Sequence, residues 1–491
     1  MLICYQTNKD TLSLCLCCAN YHELVKFLAL FCMLQAEGLR IRMLGNILSV
    51  GNCQGSLWRM TGGVFVRVSK GWFIDWHLWL LWGYKISFSP VMSNYAFLLV
   101  FGLVATSSTA CDKVYDILDY GAEGDGITDN SYSLSEAWKE ACYAKVDRAT
   151  VIVPRGKTFL VKPIEFSGPC RAKTIRFQIS GQLIAPSSPE AWKGLDASRW
   201  ISFSNVRGLH VNGHGTVDGQ GTLWWNQSCK WQPKLVNCTR LAPTAMKFLS
   251  CEDSSLSDLH FINSPQAHIS ILSSNNVRVS NMIIEAPGDS PNTDGIHIHR
   301  SRQVTVDKAW IGSGDDCVSI QDYTSKITIM NVYCGPGHGI SIGSLGKSGN
   351  YVKVENILVK NVEFKGTTNG ARIKTWQVGR GYVRNVIFQN LSFSQVKNPI
   401  IIDQNYCDVR GNCSELKTGV HISNVVYNSI SGTSSSKIAI NLNCSRFVAC
   451  TKIYMKSIHL VSAIRGKSVY SSCTNAHGRA SQVVPASCLI K

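Results

Sequence analysis

VRVSN at 277–281, VTVDK at 304–308, ITIMN at 327–331, ILVKN at 357–361 and VIFQN at 386–390 decide the fold of this 491-residue chain. Each run alternates apolar and other residues and then reaches a corner, held by Asn in four runs and by Lys308 in the fifth. Such alternation marks a strand with one buried face. The runs start 27, 23, 30 and 29 residues apart, the interval of one coil of a solenoid. Asn at a repeated corner suits the left-handed backbone of a tight turn, and stacked Asn side chains can bond along the stack. The uneven steps assign loops of variable length to the corners. The expected fold is all-β: a single-stranded, right-handed parallel β-helix. A β-sandwich would need hairpin signals, and two-residue Asn-Gly turns are scarce between these runs.

Within the same region SPNTDGIH (290–297), GSGDDCVSI (312–320) and CGPGHGISIG (334–343) place Asp294, Asp316 and His338 at two equal intervals of 22 residues. Parallel strands lie about 4.8 Å apart, so one coil per interval stacks the three into a ladder. ARIKTW (371–376) follows with Arg372 and Lys374 on one strand face. Two acids, a histidine and a basic pair suit acid–base work on an acidic substrate. Each residue alone has a plainer reading. The aspartates could be turn residues, His338 a satisfied polar group, and Arg372 with Lys374 a solvated basic stripe. His210, His214, His297 and His299 carry no assignment.

Toward the N-terminus, DYGAEGDGITDNSYSLSEAWKEAC (119–142) combines a Gly/Asp turn cluster with a helical pattern through Leu134, Ala137 and Trp138. One helix over the open end of a solenoid is expected, because terminal coils need covering. Asp125 and Asp129 fit turn and cap chemistry there. Residues 1–91 differ from the rest, with six cysteines and five of the 13 tryptophans. Met92 to Ala110 then has an apolar core, Ala96 to Ala105, closed by small residues. It resembles a signal peptide and is too short for a comfortable membrane span. The expected organisation is therefore an atypical extension at 1–91, a signal peptide at 92–110 and one β-helix domain at 111–491.

The net charge is +17, and residues 111–491 carry 41 Lys and Arg against 28 Asp and Glu, a net +13. A basic surface attracts a polyanion. Nucleic acid is disfavoured, because no known module and no aromatic-interleaved basic run appears. Fourteen of the 20 cysteines lie from Cys111 onward, an even count that suits disulfides in an oxidising compartment. Cys407 with Cys413 and Cys444 with Cys450 are close enough for local staples, though spacing alone leaves connectivity open. Five N-x-[ST] sequons, at Asn226, Asn237, Asn390, Asn412 and Asn443, all lie beyond residue 110, which agrees with secretion.

The NTD, GDD, GHG and RIK segments, in this order, resemble the four motifs of polygalacturonases in glycoside hydrolase family 28. GDGITDNS (124–131) and DGQGTLWWNQSC (218–229) look like the plant members. The likeness runs from about Val114 to Cys488. It implies a secreted hydrolase of α-1,4-galacturonosyl links in pectin, acting as a monomer in the cell wall without metal, cofactor or lasting membrane anchor. By similarity Asp315 is the general acid, while Asp294 and Asp316 hold and deprotonate the water. His338 tunes the acid, and Arg372, Lys374 and Tyr406 bind galacturonate, with Asn292 a further positioning candidate. The resemblance also pairs Cys317 with Cys334. QVGR at 377–380 replaces the Gln-Gly-Gly usual after the last motif, which touches loop shape and not the acids.

The chemistry agrees: glycosidic cleavage takes one carboxyl to protonate the leaving oxygen and another to activate water. Three clustered carboxylates cannot all ionise cheaply, so one should be pushed up. Strand alternation would send Asp315 and Asp316 to opposite faces, so the backbone has to bend at Gly312 or Gly314. A rung spacing of about 4.8 Å suggests retention by the general separation rule, whereas the family resemblance implies inversion. Two rivals stay open: a calcium-assisted pectate lyase, and a pectin-binding β-helix without turnover.

Overall fold

The structure, a computed structural model, describes residues 112–491 apart from 236–237, 240, 408–412 and 414–415. Within residues 1–111, a separate unit, it describes five short strands. Gln6–Asn8 and Thr11–Ser13 pair antiparallel, as do Val64–Arg67, Asp75–Trp79 and Lys85–Ser87. The segment 92–110, where a signal peptide is expected, lies outside the described residues.

From residue 112 each coil alternates between a short strand in an eleven-stranded sheet and a longer stretch in an eighteen-stranded sheet. All pairings within these two sheets are parallel, for instance Ile269–Leu272 on Ile296–His299 on Val318–Ile320 on Ile340–Leu345. The recurrent runs stack in the register their sequence implies: Val277, Val304, Ile327, Ile357 and Val386 face one another in succession. Their corner residues Asn281, Lys308, Asn331, Asn361 and Asn390 hold φ between 53° and 56°. Asn390 Nδ2 donates to Asn361 Oδ1 at 2.8 Å and Asn361 Nδ2 to Asn331 Oδ1 at 3.1 Å. The expected ladder of corner amides is present.

Inside, like residues stack on like. Ile201, Met246, Ile269, Ile296, Val318 and Ile340 form one buried column. Each such side chain contributes about 1.5–3 kcal/mol through burial. The outward positions of the same strands read Lys247, Ser270, His297, Ser319, Ser341 and Arg372. This polar row is the floor on which the site stands.

The helix Ser131–Tyr143 caps the first coils with Leu134, Ala137, Trp138 and Ala141 turned inward. Trp138 meets Phe166 and Phe203 at ring distances of 5.2 and 5.5 Å. Asp125 and Asp129 are turn residues, as expected. Asp125 Oδ1 accepts from Ile127 N and Thr128 N, and Asp129 Oδ1 from Ser131 N. Six disulfides join Cys142–Cys170, Cys229–Cys238, Cys317–Cys334, Cys407–Cys413, Cys444–Cys450 and Cys473–Cys488. They include both local staples and the pair beside the ladder. Cys251 is buried and free among the described residues.

Candidate active site

The interval of 22 residues is one coil. Ile296 faces Val318, which faces Ile340, so Asp294, Asp316 and His338, each two positions earlier, occupy successive rungs. Gly295 N donates to Asp316 O at 2.9 Å across the first pair of rungs. The difficulty over strand alternation disappears because Asp315 and Asp316 are in no strand. They lie in the bend between Arg302–Gly312 and Val318–Ile320. Gly314 makes that bend possible. A Cβ there would sit 1.9 Å from Ser290 O, and its N–H donates to Thr293 Oγ1 at 3.0 Å. The NTD and GDD segments are thus held together by a glycine that has no room for a side chain.

Each acid has its own partners. Asp294 Oδ2 accepts from Ser319 Oγ at 2.6 Å. With the Ser319 hydrogen so engaged, His297 Nδ1 donates to Ser319 Oγ at 2.9 Å. Asp316 accepts from Ser341 Oγ at 2.7 Å and from Lys374 Nζ at 3.0 Å. Asp315 Oδ1 accepts from His338 Nδ1 at 2.8 Å and from Asp316 N at 3.0 Å. Asp315 Oδ2 accepts from Lys230 Nζ at 3.0 Å and Asn292 Nδ2 at 3.3 Å. Asp315, Asp316 and His338 present atoms within 4.8 Å of one another. Lys230 and Lys374 balance that charge from within the chain.

One carboxyl is indeed pushed up, and it is Asp294. Burial raises it, and the charges of Asp315 and Asp316 add to that against the opposing effect of His297. Burial also raises Asp315, but its hydrogen bond to His338 and the charges of His338, Lys230 and Lys374 outweigh this. They hold Asp315 well below the ordinary carboxylate range.

The basic pair stands beside the acids. Arg372 and Lys374 both approach the ring of Tyr406, at 5.7 and 5.6 Å, and Trp376 meets the same ring edge-on at 5.4 Å. Arg372 Nε is buried without a hydrogen-bond partner, a donor left open for an incoming acceptor. Lys374 is less free than its sequence position suggests, since Asp316 already holds its ammonium. On the other side of Asp294 a cleft of about 360 Å³ continues past His297 and His299 to Lys247 and Ser198. Burial pushes His299 down to about 4, so at pH 5–7 it lines the cleft as a neutral ring.

All eight residues singled out from the sequence come together here. Four others escape a reading by sequence. Ser319 and Ser341 sit one rung beyond the acids they serve, three positions after a ladder residue. The same offset from Asp294 gives His297. That repeat is legible in IHIH, VSI and ISI. Lys230 arrives from an irregular loop, and nothing in its spacing announces it.

Comparison with known proteins follows the same lines. The family model described as glycosyl hydrolases family 28 matches residues 142–488. A tomato (Solanum lycopersicum) protein named polygalacturonase-2 is 42% identical over 76% of this chain and 80% of its own length. An avocado (Persea americana) polygalacturonase is 40% identical over 80% of this chain and 85% of its own. Among solved structures, an exopolygalacturonase from Thermotoga maritima superposes with a TM-score of 0.64 at 21% identity, covering 76% of this chain and 91% of that one. It supports the right-handed parallel β-helix.

Proposed function

The chain belongs to glycosyl hydrolase family 28, and on that premise we propose that it is a polygalacturonase hydrolysing α-1,4-galacturonosyl links of pectin. The observation that carries this is the arrangement of Asp294, Asp315 and Asp316 between two cationic flanks. Arg372 and Lys374 stand on one side, and a cleft reaching Lys247 on the other. A polyanionic chain lying across the polar row meets a positive group on each side of the acids.

In this reading Asp315 gives a proton to the glycosidic oxygen as the C1–O bond breaks. Asp294 and Asp316 hold the attacking water and take its proton, and attack from the opposite face inverts the anomeric centre. A base works best when its pKa lies near the working pH, so the elevation of Asp294 suits that role at mildly acidic pH. Arg372 offers its open Nε to a galacturonate carboxylate, and Tyr406 packs between the two cations. Asn292 steadies Asp315.

We assign the signal segment 92–110 to cleavage before a monomeric domain of 111–491 acts in the cell wall, with 1–91 outside the mature enzyme. No helix among the described residues is long and apolar enough to cross a membrane. Of the sequons, Asn226 is exposed, whereas the amides of Asn390 and Asn443 already donate to Asn361 and Asp403. Asn237 and Asn412 lie outside the described residues. Asn226 is therefore the favoured glycosylation site of these three.

The test is the product of residues 111–491 on de-esterified polygalacturonate. Hydrolysis gives new reducing ends without ultraviolet absorbance. An absorbing, unsaturated end would mean elimination by a lyase, and binding without products would mean a wall-binding module.

A further inference from the structure

The carboxyl assigned to proton donation is saturated with donors. An ionised carboxylate offers about four acceptor positions. At Asp315 four donors fill them: His338 Nδ1, the Asp316 backbone N–H, Asn292 Nδ2 and Lys230 Nζ. In that state Asp315 can neither hold a proton nor point one at a glycosidic oxygen. One donor has to leave before the reaction begins.

Three of the four are built into the stack. The Asp316 N–H is fixed by the bend. His338 belongs to the next rung, where its own N–H donates to Asp315 O at 2.7 Å. Asn292 comes from the NTD turn that Gly314 presses against. Lys230 differs in origin. It comes from the loop between the short helix Thr222–Asn226 and the strand Thr244–Leu249. The base of that loop is tied by Cys229–Cys238 and by Cys229 N donating to Thr239 O at 3.0 Å. Beyond the tie, Lys230 reaches over the site with its side chain 36% exposed, against 11% for Asp315. Its remaining neighbour is the Trp231 ring at 5.9 Å.

We propose that Lys230 is a displaceable cation that leaves Asp315 Oδ2 for the carboxylate of the galacturonate entering at the cleavage point, so that substrate binding itself releases the general acid. The exchange trades one ammonium–carboxylate bond for another, which keeps Lys230 paired throughout. Oδ2, once released, takes a proton from solvent. Asp315 then passes that proton to the glycosidic oxygen as C1–O breaks, and water adds at C1 with loss of its proton to the Asp294–Asp316 pair. A neutral sugar has no carboxylate to draw Lys230 away, so the device also discriminates for uronic acids. Around Asp315 the charged groups are His338, Lys230, Lys374, Asp294 and Asp316, and Lys230 alone among the cations is carried by a loop outside the coils. The direction of the Asp315 shift agrees, because Lys230 is one of the groups that hold this carboxyl down.

This inference rests on the function proposed above, and its test separates the two. Lys230→Met, Lys230→Gln and Lys230→Arg are compared with the unaltered enzyme by reducing-end release from polygalacturonate across pH, with melting curves to confirm folding. In Lys230→Met and Lys230→Gln, KM rises about tenfold, the worth of one charge-assisted hydrogen bond. The basic limb of kcat/KM moves to higher pH, because Asp315 without its neighbouring cation stays protonated longer. Lys230→Arg keeps both properties close to the unaltered enzyme. A folded Lys230→Met or Lys230→Gln with lower kcat but unchanged KM and basic limb would assign Lys230 a merely structural role and overturn the proposal. No reducing ends from the unaltered enzyme would instead overturn the function reading, and this inference with it.

Discussion

Ser341 Oγ donates to Asp316 Oδ1 at 2.7 Å, and both groups are buried. The residue one rung earlier, Ser319, does the same for Asp294. A hydrogen bond to a buried charge is worth about 1.5–3 kcal/mol. Ser341→Ala and Ser319→Ala should each lower kcat about ten- to a hundredfold with little change in KM, measured by reducing-end release. A change confined to KM would mean that these serines touch substrate and not the acids.

Arg372 is expected to set substrate affinity through its planar fork. Its Nε is buried and unpaired, and Lys cannot reproduce a two-pronged contact. Arg372→Lys should raise KM for polygalacturonate about tenfold, while Arg372→Gln should raise it further. Equal KM in the unaltered enzyme and Arg372→Lys would place the galacturonate carboxylate elsewhere.

Stability should respond to pH through His268. Burial pushes it down to about 4 from an ordinary 6.5, with Nδ1 3.0 Å from Asp294 O. A depressed folded value means that the unfolded chain binds the proton first. The contribution is fully present above pH 6.5 and is lost as pH falls toward 4, amounting to about 3 kcal/mol. Asp294, pushed up by burial, acts in the opposite sense: its contribution is present below 3.8 and lost as pH rises. The difference between the unaltered protein and His268→Asn in urea melts isolates the histidine. Its slope between pH 6.5 and 4 should shrink in the variant, and an unchanged slope would remove His268 from the account.

Trp138→Ala should cost about 3–5 kcal/mol. The ring plugs the first coils against Phe166 and Phe203, and its Nε1 donates to Ser167 O at 3.2 Å. Thermal melting reads this directly. A loss below about 1 kcal/mol, small for a buried large-to-small change, would mean the helix is not needed to close the solenoid.

Much of this molecule is legible in its amino-acid sequence. The apolar-x-apolar-x-Asn runs set the register of the long sheet, because alternation fixes which side chains face inward and Asn fixes the corner. The 22-residue intervals place Asp294, Asp316 and His338 on successive rungs. What stays hidden depends on contacts between coils. The bend that turns Asp315 into the cleft exists because Gly314 packs on Ser290, a contact that sequence distance conceals. Clustered acids imply that one carboxyl is pushed up, but choosing Asp294 over Asp315 requires knowing where each cation lands. Lys230 comes 85 positions before the carboxylate it touches, on a loop without periodicity, where pattern has nothing to say.

The central claim is that Asp315 delivers the proton in hydrolysis, and one paired measurement on Asp315→Asn tests it most directly. Turnover of polygalacturonate is followed by reducing ends, and polymer binding is followed on the same folded protein. The account predicts that turnover is abolished while binding persists, because Arg372, Lys374 and the cleft to Lys247 are untouched. Turnover near that of the unaltered enzyme would contradict it and move the acid to another carboxyl of the cluster.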